Sequence, residues 1–505
     1  MARAYTTLLL LLLIFHSLQC QPLQPEKLNG NKVWIDPALD VSNNSQTVVV
    51  WFDTQLLGHS DSYQNRSKAF AGQKRSELSA KVVQTLKTIS TKSFAYVQSD
   101  LEQLESDGHL SQLVPHWIVN GFSCTVDQTA LEAITKMTGV SKVFLKQPAF
   151  NSSNSAIGPI YLETLPQNQF AKDKASSSQW NIKQMRAQEV WTTLGVNGAG
   201  SLNVVHDFGF KLDVPPLAEN LYTNHKEIPG NGIDDDQNGF VDDYHGYNFD
   251  QGTAVLNQPR VRGQIIHGNI CAGVISGGLA TDTKEVVGLA PKSKWAPVIG
   301  SSNIEQAVEW AIEQGADTYS MSFSQPNLGE FRSHWRKVME HGAFCGVVFI
   351  SGAGNFASDR NFAPIPVQMR NPEDIPEAVL GVAGVGKDGI RPVFSSQGPV
   401  SWQTEHYKDG NVGKPDFATF NFQVPCLDLK GRVKTAANGN SLAGPHMAGI
   451  VALMLSANPE LMPWDVKAIL KKTAKDIGSP GFDYQSGYGL VNAYDAVKAA
   501  VTWNK

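Results

Sequence analysis

Cysteine is scarce: five in 505 residues, at 20, 124, 271, 345 and 426. A disulfide-stapled scaffold needs a far higher density. Charge is thin as well, at 18% of residues, and neither sign dominates: 42 Lys and Arg face 47 Asp and Glu, a net −5. No basic tract of the kind that follows a nucleic-acid backbone exists, so no nucleic-acid partner is expected. Beyond the N-terminus no run reaches the ~18 uninterrupted apolar residues of a membrane-spanning helix. There is no internal repeat. The 42% hydrophobic content, 44 Gly and 26 Pro are ordinary and exclude a disordered chain, a collagen and a coiled coil. What remains is a large globular protein with enough chain to bury a full core and, by length, about three domains.

The N-terminus narrows the compartment. Arg3 precedes an apolar run from Leu8 to Phe15, which ends in His16-Ser17-Leu18-Gln19-Cys20. A basic start and an eight-residue apolar stretch read as a secretory signal over residues 1–20, too short to cross a bilayer. A membrane anchor is the competing reading. A lipoprotein box is disfavoured because Gln19 is not the small residue expected before a lipidated Cys. Residues Asn43, Asn65 and Asn151 lie in N-x-[ST] sequons, each a glycosylation acceptor in a eukaryotic secretory pathway. The expected location is extracellular, or the lumen of the secretory and endolysosomal route, with no membrane contact after signal removal. Four cysteines then remain, and they read as small buried hydrophobes.

The pattern along the chain changes twice. Residues 46–147 read as a small α+β unit. Thr47–Phe52 is β-rich, and Arg66–Ile89 is helix-compatible with Leu78, Val82, Leu86 and Ile89 at helical spacing. Trp117-Ile118-Val119 and Phe122 read as a strand. Asp127 caps a helix that Gly139 ends, and Val140–Leu145 closes as a strand. Residues 148–179 turn polar and Ser-rich, a linker composition. From 180 to 505 short apolar strands alternate with helices: Leu202–His206, Trp295–Ile299, Thr318–Phe323 and Gly346–Ile350 are strands, and Asn303 caps a helix ending at Gly315. Strands separated by helices predict a parallel sheet covered on both faces, with active groups at the strands' carboxyl ends.

Three motifs carry chemistry. Val204-Val205-His206-Asp207-Phe208-Gly209 sets an acid at a strand end. His267-Gly268-Asn269-Ile270-Cys271-Ala272-Gly273 sets a His ahead of a small-residue helix. Gly439-Asn440-Ser441-Leu442-Ala443-Gly444-Pro445-His446 sets a Ser at a helix start, with Pro445 tolerated as a first-turn residue. Alone, each has a bland reading: a strand-end Asp, a structural His, a capping Ser. Together their order is Asp, His, Ser, the order of subtilisin and not of chymotrypsin or the α/β-hydrolases. Residues 180–505 therefore resemble the subtilisin-like serine peptidases. The resemblance extends to Ser351-Gly352-Ala353-Gly354-Asn355, Ser320-Met321-Ser322-Phe323-Ser324, Val393–Gly398, Lys414-Pro415-Asp416 and Ser486–Ala493.

That resemblance implies the fold, a subtilisin-like α/β parallel sheet with helices on both faces, and the roles. Ser441 is the nucleophile, His267 its general base and then acid, and Asp207 holds the imidazole. The Asn355 side chain and the Ser441 backbone N–H form the oxyanion hole. Ser322, Phe323, Ser324, Gly352, Ala353 and Gly354 bind substrate. The sequence departs from the family at Phe208, where Ser or Thr is usual, and at Asn269 and Ile270, where Thr and His are usual. Asn440 stands for Thr and Ser324 for Gly. None removes a triad atom, but Asn440 and Ser324 adjoin the oxyanion hole and the substrate backbone. A weakened or inactive peptide-binding relative is therefore the alternative function.

The segment Asn231–Asp243 contains D-x-D-x-N-G-x-x-D, alternating oxygen ligands around a turning Gly. His245 stands where an EF-hand has Glu, so a shorter structural Ca²⁺ loop is expected, built from Asp234, Asp236, Asn238, the Phe240 carbonyl and Asp242 or Asp243. A solvated acidic loop is the plain alternative. No zinc spacing links His206, His245 and His446, and no catalytic metal is expected. The unit at 46–147 resembles the ferredoxin-like propeptide of secreted members of the family, which assists folding and blocks the site until cut in the 148–179 linker. The implied protein is a self-processing zymogen acting on proteins or peptides, its own propeptide a partner. A calcium-dependent extracellular structural protein is a third, non-enzymatic reading.

Overall fold

The computed structural model describes residues 23–28, 30, 32–42, 44–147, 161–164, 179–257, 261–262, 265–358 and 368–503. The signal at 1–20, Asn43, Asn151 and most of the 148–179 linker lie outside them.

The first unit is a five-stranded sheet. Its strands are β1 (Trp34–Ile35), β2 (Gln46–Phe52), β3 (Leu110–His116), β4 (Gly121–Val126) and β5 (Val140–Leu145), in the order β1-β5-β2-β4-β3. Helices α1 (Ser62–Ala69), α2 (Arg75–Ala95), α3 (Gln98–Ser106) and α4 (Gln128–Ile134) complete it. The four longer strands pair antiparallel, giving a ferredoxin-like α+β unit. Strand alternation divides β2: Val48, Val50 and Phe52 join the unit's own core, while Val49 and Trp51 turn to the other face. Asp127 caps α4 as expected, accepting the Ala130 amide at 2.9 Å.

One expected strand is there only in part: Phe122 lies in β4. Trp117-Ile118-Val119 form the turn between β3 and β4, with Asn120 at φ 40°. They are apolar because the turn is buried against the second unit, where the Ile118 amide donates to Glu309 at 2.8 Å. Burial by docking mimicked the signature of a strand.

The second unit follows a short strand, β6 (Tyr161–Thr164). It holds a seven-stranded, all-parallel sheet of β7 (Leu202–His206), β8 (Tyr247–Asn248), β9 (Lys294–Ile299), β10 (Thr318–Met321), β11 (Val348–Gly352), β12 (Val379–Val385) and β13 (Phe417–Phe420). The order is β8-β9-β7-β10-β11-β12-β13, so the sheet reverses direction of growth beside β7 and β10. Hairpin β14 (Val424–Leu427) and β15 (Val433–Asn438) pairs with β6 along Tyr161–Thr164. One face of the large sheet packs α5 (His267–Ser276), the buried α8 (Asn440–Ala457) and α10 (Ala493–Thr502); the other packs α6 (Ile304–Glu313) and α7 (Arg332–Phe344). Helix α9 (Pro463–Thr473) lies between α8 and α10 in the chain.

The small sheet docks on α6 and α7. The Trp51 indole donates to His334 Nδ1 at 2.9 Å, and His334 Nε2 donates to Glu305 at 2.6 Å. Lys146, at the end of the first unit, reaches Asn303 at 2.8 Å and Glu305 at 3.5 Å. Asn303 therefore does not cap α6 with its side chain as expected: its oxygen takes Lys146 and its nitrogen donates to the Phe249 carbonyl at 2.6 Å. Among the described residues no helix is long and apolar enough to cross a membrane. Cys124, Cys271, Cys345 and Cys426 are all buried and unpaired, a pairing state that the sequence alone left open.

Candidate active site

Asp207 leaves the carboxyl end of β7, where its amide donates to the Val298 carbonyl at 2.9 Å. One carboxylate oxygen accepts the Phe208 amide at 2.8 Å. Helix α5 begins at His267, and its Nδ1 lies 2.8 and 2.7 Å from the two Asp207 oxygens. A carboxylate only accepts, so Nδ1 carries the proton and Nε2 is left as the basic nitrogen. Nε2 is buried and has no partner among the described residues.

Ser441 is the second residue of α8. The helix starts hard against β11: a Cβ on Gly352 would stand 2.1 Å from the Asn440 carbonyl oxygen, so only glycine allows this approach. The Ser441 hydroxyl makes a long contact to the Ser322 carbonyl at 3.4 Å and does not bond Nε2. Apo sites commonly leave this link open until substrate arrives.

Pro445 lies beyond the first turn, not within it. Its missing N–H leaves the Ser441 carbonyl without a helical partner. That carbonyl instead accepts the Ser322 hydroxyl at 3.0 Å and the Cys271 thiol at 3.4 Å. Burial, then the Asp207 charge, pushes the Cys271 thiol well up, which keeps it a donor. Asp207, His267 and Cys271 lie close enough for a metal, but each is engaged within the protein fold or protonated.

Asn355 accepts the Asn440 amide through its oxygen at 2.8 Å, so its Nδ2 is the end left to donate. The family departures have structural work of their own. Asn440 donates to the Gly354 carbonyl at 2.5 Å and to Ser395 at 3.0 Å, and accepts from Asn421 at 2.8 Å. Asn269 grips Lys211 through both backbone groups, at 2.8 and 2.7 Å, tying the Asp207 loop to α5. Phe208 meets Phe323 edge-on at 5.8 Å. The Phe323 side chain is buried on His206 and Trp335, so it can offer substrate only its backbone. Ser322 and Ser324, on the other face, turn to Ser441 and to Glu373.

The acidic loop keeps part of its expected donor set. Asp242 accepts the amides of Asn231 and Gly232, each at 3.0 Å. Asp243 is buried on Asn224, Asn238 and the Trp310 indole. The Asn238 oxygen accepts the Phe240 amide at 2.8 Å, and the Phe240 ring packs on Tyr247 and Phe249. Asp234 and Asp236 do converge, joined by Glu227: their carboxylate oxygens lie within 4.8 Å of one another. Glu227 is buried and its Oε2 has no partner among the described residues. An all-oxygen donor set with an unsatisfied buried carboxylate fits a hard divalent cation such as Ca²⁺. No motif marks Glu227, seven residues before Asp234, which is why the sequence pattern passed over it.

The family model described as the Subtilase family, peptidase S8, matches residues 198–489. Bacillopeptidase F of Bacillus subtilis is 25% identical over 451 residues, covering 83% of this chain and 28% of that protein. Subtilisin-like protease 1 of Plasmodium berghei is 25% identical over 355 residues, 66% of this chain and 55% of that one. The calcium-dependent protease of Nostoc is 27% identical over 292 residues, 49% of this chain and 42% of that one. The chain thus spans between about a quarter and about half of these relatives' lengths. With the match covering more than half of its residues, on a parallel sheet with Asp207 at a strand end and His267 and Ser441 at helix starts, the chain belongs to the subtilase family of serine peptidases.

Proposed function

We propose that the chain is a secreted serine endopeptidase made as a self-processing zymogen. The observation that carries this reading is the double contact of His267 Nδ1 with Asp207, which fixes the tautomer and frees Nε2 as a base beside the helix start that bears Ser441. In the reaction, Ser441 Oγ adds to the substrate carbonyl carbon as its proton passes to His267 Nε2. Asp207 stabilises the imidazolium. The oxyanion is held by Asn355 Nδ2 and the Ser441 amide at the positive end of α8. Collapse expels the amine, which takes the proton from Nε2 and leaves an acyl-enzyme. Water, deprotonated by Nε2, then releases the acid and restores Ser441.

The 46–147 unit acts as propeptide, its linker the 148–179 segment. Its docking on α6 and α7 through Trp51, Ile118 and Lys146 supports this. Glu227, Asp234 and Asp236 would hold a structural Ca²⁺, which cross-links the loop when bound.

The test expresses the full chain and Ser441→Ala, then follows product size and labelling by a fluorophosphonate probe. Wild type is expected to shorten and label, and the mutant to do neither. If neither protein shortens or labels, the peptidase reading fails, and the open Ser441–His267 link favours an inactive peptide-binding relative.

A further inference from the structure

Beside the substrate strand lies a carboxyl that the peptidase mechanism does not use. Glu373 is fully buried. Its Oε1 accepts the Ser324 hydroxyl at 2.6 Å and the Arg370 amide at 3.0 Å. Its Oε2 is buried with no hydrogen-bond partner among the described residues. The carboxyl also lies close to Gly354, at φ +86°, where a Cβ would stand 3.1 Å from Oε1. Ser324 and Gly354 belong to the two segments expected to flank the substrate residue before the cut, its P1 side chain. Glu373 therefore stands where those two segments come together.

No ion pair reaches Glu373 among the described residues. Arg332 is spent on Asp374 at 2.7 Å, and Lys414 on Asp416 at 2.6 Å. Burial pushes the carboxyl up to about 8, and neighbouring Asp374 adds to the rise. A buried acid with one vacant oxygen costs stability unless something satisfies it. Glycine, usual in the family at the Ser324 position, would leave Oε1 with one donor fewer. The hydroxyl here holds Oε1 and leaves Oε2 without a protein partner among the described residues.

We propose that Glu373, positioned by Ser324, makes the P1 pocket select a cationic side chain, lysine or arginine. The proposal rests on the peptidase reading of the two flanking segments. An ammonium or guanidinium would bond Oε2 in a water-poor pocket, where a charge-assisted contact is strong. An apolar P1 side chain would leave that oxygen desolvated and unpaired, the condition under which polar sites discriminate most sharply.

The test compares the product of the full chain with Glu373→Gln and Ser324→Gly, on peptide amides differing only in P1 (Arg, Lys, Phe, Leu). Wild type should favour Arg and Lys by at least about ten-fold in kcat/KM. Glu373→Gln should lose at least that factor on Arg and Lys while staying within about three-fold on Phe. Benzamidine binding by calorimetry reads the same pocket without turnover: wild type should bind, and Glu373→Gln should not. Wild-type preference for Phe or Leu, or benzamidine binding untouched by Glu373→Gln, overturns the proposal. A wild type that labels with no probe but binds benzamidine through Glu373 would sink the peptidase reading and keep the pocket.

Discussion

The Ser322 hydroxyl donates to the Ser441 carbonyl oxygen at 3.0 Å. It fills the vacancy made by Pro445 four residues along α8, and it links the segment after β10 to the first turn of the helix that bears Ser441. Ser322→Ala, in a Ser441→Ala background to prevent autolysis, should cost about 1–2 kcal/mol by urea unfolding, since a buried carbonyl loses its main donor. With Pro445→Ala added, a backbone N–H becomes available and the loss should shrink by at least about 0.5 kcal/mol. Strict additivity of the two changes would refute the link.

Asp207→Asn keeps the shape of the site but no longer favours the proton on Nδ1. Activity should fall by about 10³–10⁴-fold, with folding intact by circular dichroism. Asn355→Ala should lower kcat by about 10²–10³-fold with little change in KM, the magnitude known from subtilisin, because the oxyanion exists only after attack. A large KM effect would mean that Asn355 binds the ground state instead.

Calcium should raise the melting temperature of wild type, and chelation should lower it. Glu227→Gln removes a charge from the three-carboxylate cluster and should weaken the calcium-dependent shift at least about ten-fold in midpoint concentration. If Glu227→Gln titrates like wild type, the cation is held elsewhere or not at all.

Contact between the two units should weaken in acid. His341 accepts the Leu57 amide through Nε2 at 3.2 Å and donates from Nδ1 to the Ile118 carbonyl at 2.5 Å, an arrangement only neutral imidazole can make. Burial, with Lys337 and Arg66 facing it, pushes His341 down to about 3. His406, which donates to Gly58 and faces Lys337, Lys142 and His59, is also held well below its usual value by burial. For both, stability is present above about 6.5 and is lost as pH falls toward their docked values. Glu309 opposes them. Burial raises it to about 8, so its contribution grows as pH falls from there to about 4.5 and then levels off. Two histidines against one carboxyl leave a net loss below about pH 6.5, steepest below 4.5, at up to about 1.4 kcal/mol per histidine per pH unit. Hydrogen exchange at the Leu57 and Ile118 amides of Ser441→Ala, corrected for intrinsic rates, should show protection falling over that range. Protection that rises toward pH 4 would contradict this account.

Order and residue type alone determined the family and the parallel sheet and named Asp207, His267, Ser441 and Asn355 as candidates, because a motif needs only the right groups at strand ends and helix starts. Alternating and helical periodicities likewise located most elements. They failed at Ile118 and Val119, where a turn is apolar because another unit covers it, and at Asn303, whose side chain answers Lys146 across the interface and not its own helix. Glu227 and Glu373 carry no local signal at all. Each matters through groups distant in the chain, seven and nine residues to Asp234 and Asp236, 49 to Ser324. Whether a carboxyl is paired, buried or vacant is set by what the folded chain brings beside it, and that is decided only in three dimensions.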